Sequence, residues 1–482
     1  MRRWLKVEYI VALAAAVVLA WLLLWKPVIG MADNGDFLRI MGTVGLDYTD
    51  PSLPYEQKYF GWFIREFAMK EMGLGGYVST SLLPVMIGKL LCLVVGKELF
   101  DIRAVAIVYG ALFVAGAWLL LRYCKGRNVW GNALLGILFV VMFADVGYTA
   151  YYNSLFSEPM AYVAMLLTLG FVLALLRGAQ PMSLYLWGFA ISSVLLIGAK
   201  VQNAPVGILL ALLCLRLGTL RKGGGWRRKA GWLAVVLVAA SAAIYFSLPK
   251  EIKIINQYQT VFFGVLKGSE DPAADLRELG LPEKLAVNAG TNYFEPAPID
   301  QHDPVFEREY YPAFSHLKVG LFYLKHPGRF WDKLEIAGEH GMTIRPYYLG
   351  SFEQSEGLKS GEVSYAFSLW SEFKHRVLPN KLWFILLVFV LYYVMLIRRY
   401  LNTFRLRERI RLEVLAGLGL VALFQFVTPV VGDGEADLAK HLFGFNVSFD
   451  LMLWFGVLLL LEHLPGWRRG AGERADGGTL KR

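Results

Sequence analysis

From Tyr9 to Trp25 the chain runs without one charged side chain. A bilayer core about 30 Å thick is crossed by roughly 20 apolar residues in a helix. Further apolar runs follow at 102–121, 130–147, 159–176, 184–199, 204–220, 231–248, 381–397, 412–430 and 446–463. That pattern leaves little chain for a water-soluble body. Composition agrees: Asp, Glu, Lys and Arg make up 18% of the residues and AVILMFWYC 56%, whereas a soluble globular chain carries roughly 25% charged residues. A soluble enzyme, a disordered chain, collagen and a coiled coil are excluded. The sequence predicts an all-α polytopic membrane protein with about ten transmembrane helices, juxtamembrane helices in the first outer loop and a large, mostly helical outer loop. Its location is the cell membrane, multi-pass.

The first run follows Arg2, Arg3 and Lys6, lacks a small-residue cleavage site and ends at Trp21, Trp25 and Lys26, residues suited to the membrane interface. It reads as a retained helix. Ser81–Gly96 is apolar but short, and it holds Pro84, Gly88 and Lys89. If this segment does not span, and the N-terminus is cytoplasmic, the clusters Arg122/Lys125/Arg127, Arg221–Lys229, Arg398–Arg411 and Arg468/Arg469 all fall on the cytoplasmic side, as the positive-inside rule requires. If it spans, they all fall outside. The reading is therefore a half-buried or surface helix, with both termini cytoplasmic.

The organisation follows. Residues 1–248 form a transmembrane module containing the first outer loop, 27–101. Residues 249–378 form a large extracytoplasmic loop, 379–465 the last helices, and 466–482 a cytoplasmic tail. In the large loop, Asp271-Pro272 opens a short helix that Gly280 closes, Pro282 opens another that Gly290 ends, and Pro327 breaks a helix between Lys325 and Arg329. The net charge of +10 comes in short clusters beside apolar runs and reads as membrane anchoring, not nucleic-acid binding. Cys92, Cys124 and Cys214 lie far apart in apolar sequence and form neither a disulfide framework nor a metal site.

Charge is costly in such a chain, so clusters at outer helix ends carry the information. Asp33-Asn34-Gly35-Asp36-Phe37-Leu38-Arg39 follows the first helix. Asp36 begins a helical run and Arg39 lies three residues on, on the same face. A carboxylate there takes a proton from a hydroxyl, and an arginine beside it holds a phosphate by parallel hydrogen bonds. The plainer alternative is an N-cap and a headgroup anchor. Tyr151-Tyr152-Asn153-Ser154 supplies hydrogen-bonding groups suited to a sugar, and Glu158 stands at the start of a helix whose next residue is Pro159. Lys200-Val201-Gln202-Asn203 closes another outer turn. The segment Gly432–His441 crowds three carboxylates, Lys440 and His441 together. His340 and Arg345 flank a short stretch of the large loop as further contacts. No ligand spacing is diagnostic of a metal. No Walker loop, dinucleotide-binding glycine motif, nucleophile elbow or zincin motif occurs.

With these residues in place, the chain resembles the GT-C superfamily of polyprenyl-phosphate-sugar-dependent membrane glycosyltransferases. In that superfamily a catalytic aspartate follows helix 1, membrane-hugging helices share its loop, and a second acidic position lies on the next outer turn. Asp36, Ser81–Gly96 and Glu158 match in order over roughly the first 250 residues, and Asp36-x-x-Arg39 is similar to the aspartate–arginine pair of the aminoarabinose transferase branch. The strings DNGDFLR, NSLFSEP and GDGEADLAKHLF resemble hexose transferases of surface-glycan assembly, S-layer glycans included. The resemblance implies transfer of a hexose, with inversion, from a polyprenyl-phosphate donor to a surface or lipid-linked glycan acceptor on the extracytoplasmic face. Asp36 is the implied base, with Asp33 competing for the role and Glu158 as second acid. Arg39, Lys200, Arg345 and Lys440 are the implied phosphate contacts. Asn153, Tyr152, Gln202, Asn203, His340 and His441 are the implied sugar or acceptor contacts. Membrane lipids are the remaining partners; no metal is assigned, and a divalent cation is left open. Two rival readings are a lipid-linked-oligosaccharide flippase or transporter, which needs charges at mid-membrane, and a surface-polysaccharide polymerase or ligase. A scaffold without chemistry is a third.

Overall fold

A computed structural model describes residues 6–73 and 76–463; Arg2, Arg3, the Arg468/Arg469 pair and the expected tail 466–482 lie outside the described residues. Each apolar run is helical: α1 Val7–Leu24, α2 Arg103–Cys124, α3 Val129–Phe143, α4 Glu158–Leu176, α5 Met182–Ala199, α6 Val206–Leu217, α7 Gly224–Phe246, α8 Leu382–Leu401, α9 Leu406–Asp433 and α10 Phe443–Leu461. The protein is thus a helical, polytopic membrane protein. Among the described residues, the expected ten spans reduce to eight helices long and apolar enough to cross alone, or nine if α3 and Val146–Asn153, bent by 48°, count as one. The reasons are local. At the bend, the Asp145 side chain accepts the Gly147 N–H at 2.7 Å and diverts the backbone from the helical ladder. α6 gives way to a tighter 3₁₀ turn at Gly218–Leu220, so its apolar run outlasts its helix.

α4 is apolar on every face and lies at the centre. Small residues let its neighbours close on it. A Cβ on Gly116 of α2 would stand 2.9 Å from the Leu166 Cβ, and one on Gly170 would stand 2.6 Å from the Leu119 Cβ. Leu82–Val94, within the ambiguous segment, is a 13-residue helix packed on α2. Its Lys89 ammonium donates to the carbonyls of Val44, Gly45 and Lys70 at 2.8–2.9 Å.

The first loop also holds a small antiparallel sheet, β1 Leu46–Tyr48, β2 Glu66–Met69 and β3 Leu99–Asp101, in the order β1-β2-β3. The sequence reading had only helices there. The large loop carries helices Pro272–Leu279, His316–Lys325 and Pro327–His340 and a 3₁₀ turn Glu283–Asn288. Asp271 caps the first through the Ala274 N–H at 3.0 Å, and Gly280 ends it at φ +68°. A second core, built on Tyr258, Phe262, Phe306 and Tyr310, lies apart from that of the bundle.

Candidate functional site

Four segments far apart in sequence meet at one end of the bundle: the turn after α1, the start of α4, the α5–α6 turn and the α9–α10 turn. The basic clusters lie at the opposite end, where Lys125 meets Glu8, Arg177 reaches the Tyr123 carbonyl and Arg399 meets Glu462.

The turn after α1 divides its two aspartates between two tasks. Asp33 is buried and spent on the loop. Its Oδ1 accepts the N–H groups of Gly35 (2.7 Å) and Phe37 (3.0 Å), and its Oδ2 accepts the Tyr48 hydroxyl at 2.9 Å. Burial pushes its carboxyl up to about 6, against these hydrogen bonds. Asp33 therefore does the capping that the plainer reading gave to Asp36, and it does not line the cleft described below. Asp36 precedes helix Phe37–Val44 without a side-chain cap bond. Its carboxylate lies 3.0 Å from Arg39 Nη2 and in contact with the buried Lys440 ammonium. Burial alone would raise the Asp36 carboxyl. The charges of Lys440, Arg39 and Lys200 together outweigh burial and hold it well below the usual carboxylate range.

Glu158 at the head of α4 accepts from Lys200 Nζ at 3.0 Å. Burial pulls the Lys200 ammonium down, but Glu158 and then Asp36 more than offset it and hold it above the ordinary lysine value. Lys200 also donates to His441 Nδ1 at 3.3 Å, while His441 Nε2 faces Asp433 at 3.0 Å. These partners fix the ring with Nε2 as donor. Lys440 donates to Asn34 Oδ1 at 3.2 Å and stands 4.1 Å over the Phe156 ring. Asp437, at φ +45°, accepts from Asn34 at 3.2 Å and from the Tyr348 hydroxyl. The result alternates in sign: Arg39–Asp36–Lys440 on one strand, Glu158–Lys200–His441–Asp433 on the other. Asp36, Arg39, Tyr77, Phe156, Glu158 and Lys200 line the cleft between them. Its free volume is about 20 Å³, room for about one water, so a larger group enters only when ammonium–carboxylate pairs part.

Of the expected residues, Asp36, Arg39, Glu158, Lys200, Lys440 and His441 come together here. Gln202 joins them through its amide on the His441 carbonyl at 3.1 Å. Asn203 faces the bundle interior and accepts from Gln425 at 3.2 Å. Tyr152 and Asn153 turn inward. Tyr152 packs 5.5 Å from Tyr109, and Asn153 Nδ2 donates to the Leu23 and Ile29 carbonyls at 2.9 and 2.7 Å. His340 is exposed at the end of its helix, outside the cleft. Arg345 is buried beside Tyr347 and Tyr365. Sequence reasoning missed Asn34, Tyr348, Asp433 and Asp437 as partners. Asn34 and both aspartates lay inside the charged strings, whereas Tyr348 gave no signal. Among the described residues no group of three or more His, Cys, Asp or Glu is arranged to hold a metal ion.

Among solved structures, the archaeal oligosaccharyltransferase AglB from Archaeoglobus fulgidus, in complex with an inhibitory peptide and a dolichol-phosphate, aligns with 94% of this chain and 50% of its own, at 13% identity and a TM-score of 0.38. This chain thus spans about half the length of that protein, and so loose a superposition carries no argument. No curated protein sequence matches. The YfdI N-terminal transmembrane domain family matches residues 1–478, and the chain belongs to that family.

Proposed function

We propose that the protein is a membrane glycosyltransferase that moves a sugar from a polyprenyl-phosphate donor to a hydroxyl of a glycan acceptor, with the Asp36 cleft as its active site. The observation that supports this most is the placement of Asp36: one carboxylate flanked by Arg39 and Lys200, which line a single cleft with it, and by the buried Lys440 ammonium.

Transfer from a lipid phosphate needs positive charge on the leaving group and a base for the incoming hydroxyl. In the closed cleft the cations neutralise Asp36 and Glu158. A donor phosphate competes for Arg39, Lys440 and Lys200 and draws them from the carboxylates. Asp36, losing cationic neighbours, becomes more basic at the moment the donor is seated. The acceptor oxygen then bonds to the anomeric carbon as the C–O bond to phosphate breaks. The hydroxyl proton passes to Asp36, and the bonding pair leaves with the lipid phosphate, whose charge the three cations hold. In-line attack inverts the anomeric centre. Glu158 holds Lys200 at the cleft until the phosphate takes it, and His441 and Gln202 flank that ammonium toward the acceptor.

The test is purified protein in proteoliposomes with polyprenyl-phosphate [¹⁴C]hexose and a glycan acceptor. Labelled glycan and free lipid phosphate in equal amounts are expected. Movement of intact donor across the bilayer without cleavage would replace this reading with the flippase.

A further inference from the structure

Arg345 is 1% exposed, and none of its guanidinium nitrogens makes a hydrogen bond within the protein. Its nearest carboxylate oxygen, on Glu372, is 3.8 Å away, and that carboxylate already takes the Tyr347 hydroxyl at 2.9 Å and the Arg376 guanidinium at 2.6 Å. A buried cation without hydrogen-bonded partners is costly. What lies next to it indicates what satisfies it. The Arg345 guanidinium stands 5.6 Å from the Tyr365 ring and that of Arg376 5.9 Å from it. The same Tyr365 forms one wall of a groove lined by Trp21, Lys26, Ile29, Phe352 and Ala366, with a free volume of about 310 Å³, enough for part of a ligand. Tyr365 is 52% exposed and Trp21 53% exposed, so the groove is open beside the end of α1, where the interfacial pair Trp21 and Trp25 stands. The carboxylate near its mouth, Glu353, is engaged by Arg65 at 3.5 Å. The groove shares no lining residue with the Asp36 cleft.

An apolar trough beside the interfacial end of α1, with Lys26 in its lining and Arg345 and Arg376 against its Tyr365 wall, has the chemistry of an anionic lipid site: chains along Trp21, Ile29 and Phe352, headgroup phosphate on the cations. We infer that Arg345, with Lys26 and Arg376, binds the phosphodiester of an anionic glycerophospholipid whose chain lies in this groove. The Tyr365 ring swings aside to admit the phosphate to Arg345, and the guanidinium gains the two parallel hydrogen bonds that its fork is shaped to make. Glycerophospholipid is the assignment because the groove lies beside the interfacial tryptophans of α1 and shares no lining residue with the cleft proposed for the donor. The inference stands whether or not the protein transfers sugar.

The experiment places full-length protein in nanodiscs of phosphatidylcholine, with and without a quarter phosphatidylglycerol. It measures retained lipid by native mass spectrometry and melting temperature by differential scanning fluorimetry. Wild type is expected to retain phosphatidylglycerol and to melt higher when it is present, since a ligand of the native state stabilises it. Arg345→Gln and Lys26→Gln should weaken retention, the former by about tenfold or more, as for loss of a charge-assisted contact. Ala366→Trp, which fills the groove and leaves the cations in place, should abolish the phosphatidylglycerol-dependent rise and serves if Arg345→Gln does not fold. A rise of equal size in wild type and Ala366→Trp, no rise in wild type, or displacement of phosphatidylglycerol by equimolar polyprenyl phosphate would each overturn the inference.

Discussion

At the scale of single residues, two aspartates three positions apart take opposite roles because of what reaches them from elsewhere. Asp33 meets Tyr48 and two backbone N–H groups; Asp36 meets Arg39 and Lys440. Asp33→Asn is therefore expected to act on stability. Loss of such a cap costs about 0.5–2 kcal/mol, read as a lowered melting temperature with turnover largely kept. The pH dependence has a definite sign. Burial raises the Asp33 carboxyl from 3.8 to about 6, so the folded state holds its proton more tightly than the unfolded chain. Its contribution is present below 3.8 and is lost as pH rises toward 6. The stability difference between wild type and Asp33→Asn should shrink over that window, and a difference that grows would contradict the assignment. The string from Asp33 to Arg39 was legible because Asp36 and Arg39 lie one helical turn apart. Which aspartate is free was not, since the deciding partner of Asp36 lies 404 residues away. Tyr152 and Asn153 misled for a related reason: a polar, aromatic string has the same composition whether it faces a ligand or ties a loop to the Leu23 and Ile29 carbonyls.

At the scale of elements, the α9–α10 turn that carries Asp437, Lys440 and His441 is bolted to the large loop. Gly434, at φ +64°, lies so close to Gly264 that a Cβ on it would stand 2.7 Å from the Gly264 Cα. Glu435 beside it holds Lys333 at 2.6 Å and Lys267 at 2.8 Å. Gly434→Ala should strain this turn by about 1–3 kcal/mol, lower the melting temperature and slow transfer by moving Lys440. Gly432→Ala, whose Cβ meets nothing within 4 Å, is the matched control and should leave both unchanged or gain slightly from helix propensity. A second bolt is helix Leu369–Arg376. Its buried Lys374 reaches Asp450 of α10 at 2.6 Å, where Tyr148 and Trp370 also donate. Lys374→Met strands that carboxylate and should cost about 3–5 kcal/mol. Adding Asp450→Asn should recover much of the loss; no recovery would mean the pair is incidental. The apolar runs announced the helices well, because hydropathy measures what a bilayer demands. It does not measure helix continuity, so the bend at Asp145 and the early end of α6 were not legible, and neither were β1–β3, at three or four residues each.

At the scale of the whole molecule, charge is divided between the two ends: basic clusters at one, the alternating cleft at the other. We propose, from the positive-inside rule, an orientation with Asp36 outward. The cysteines are buried, so single reporter cysteines can be placed in the natural sequence. Val287→Cys, 58% exposed in the large loop, should react with an impermeant maleimide on intact cells. Arg127→Cys, exposed at the opposite end, should react only after permeabilisation. The reverse pattern would put the cleft in the cytosol and remove its access to an extracytoplasmic acceptor.

The central claim is that the Asp36 carboxylate is the base in a cleft whose cations hold a lipid phosphate. The most direct measurement is the release of lipid phosphate from a polyprenyl-phosphate sugar by wild type and Asp36→Asn, reconstituted side by side and matched in melting temperature. The account predicts release coupled to glycan formation in wild type and a loss of about 10²–10⁴-fold in the variant, the usual contribution of a general base. An Asp36→Asn protein that releases lipid phosphate at the wild-type rate would contradict it.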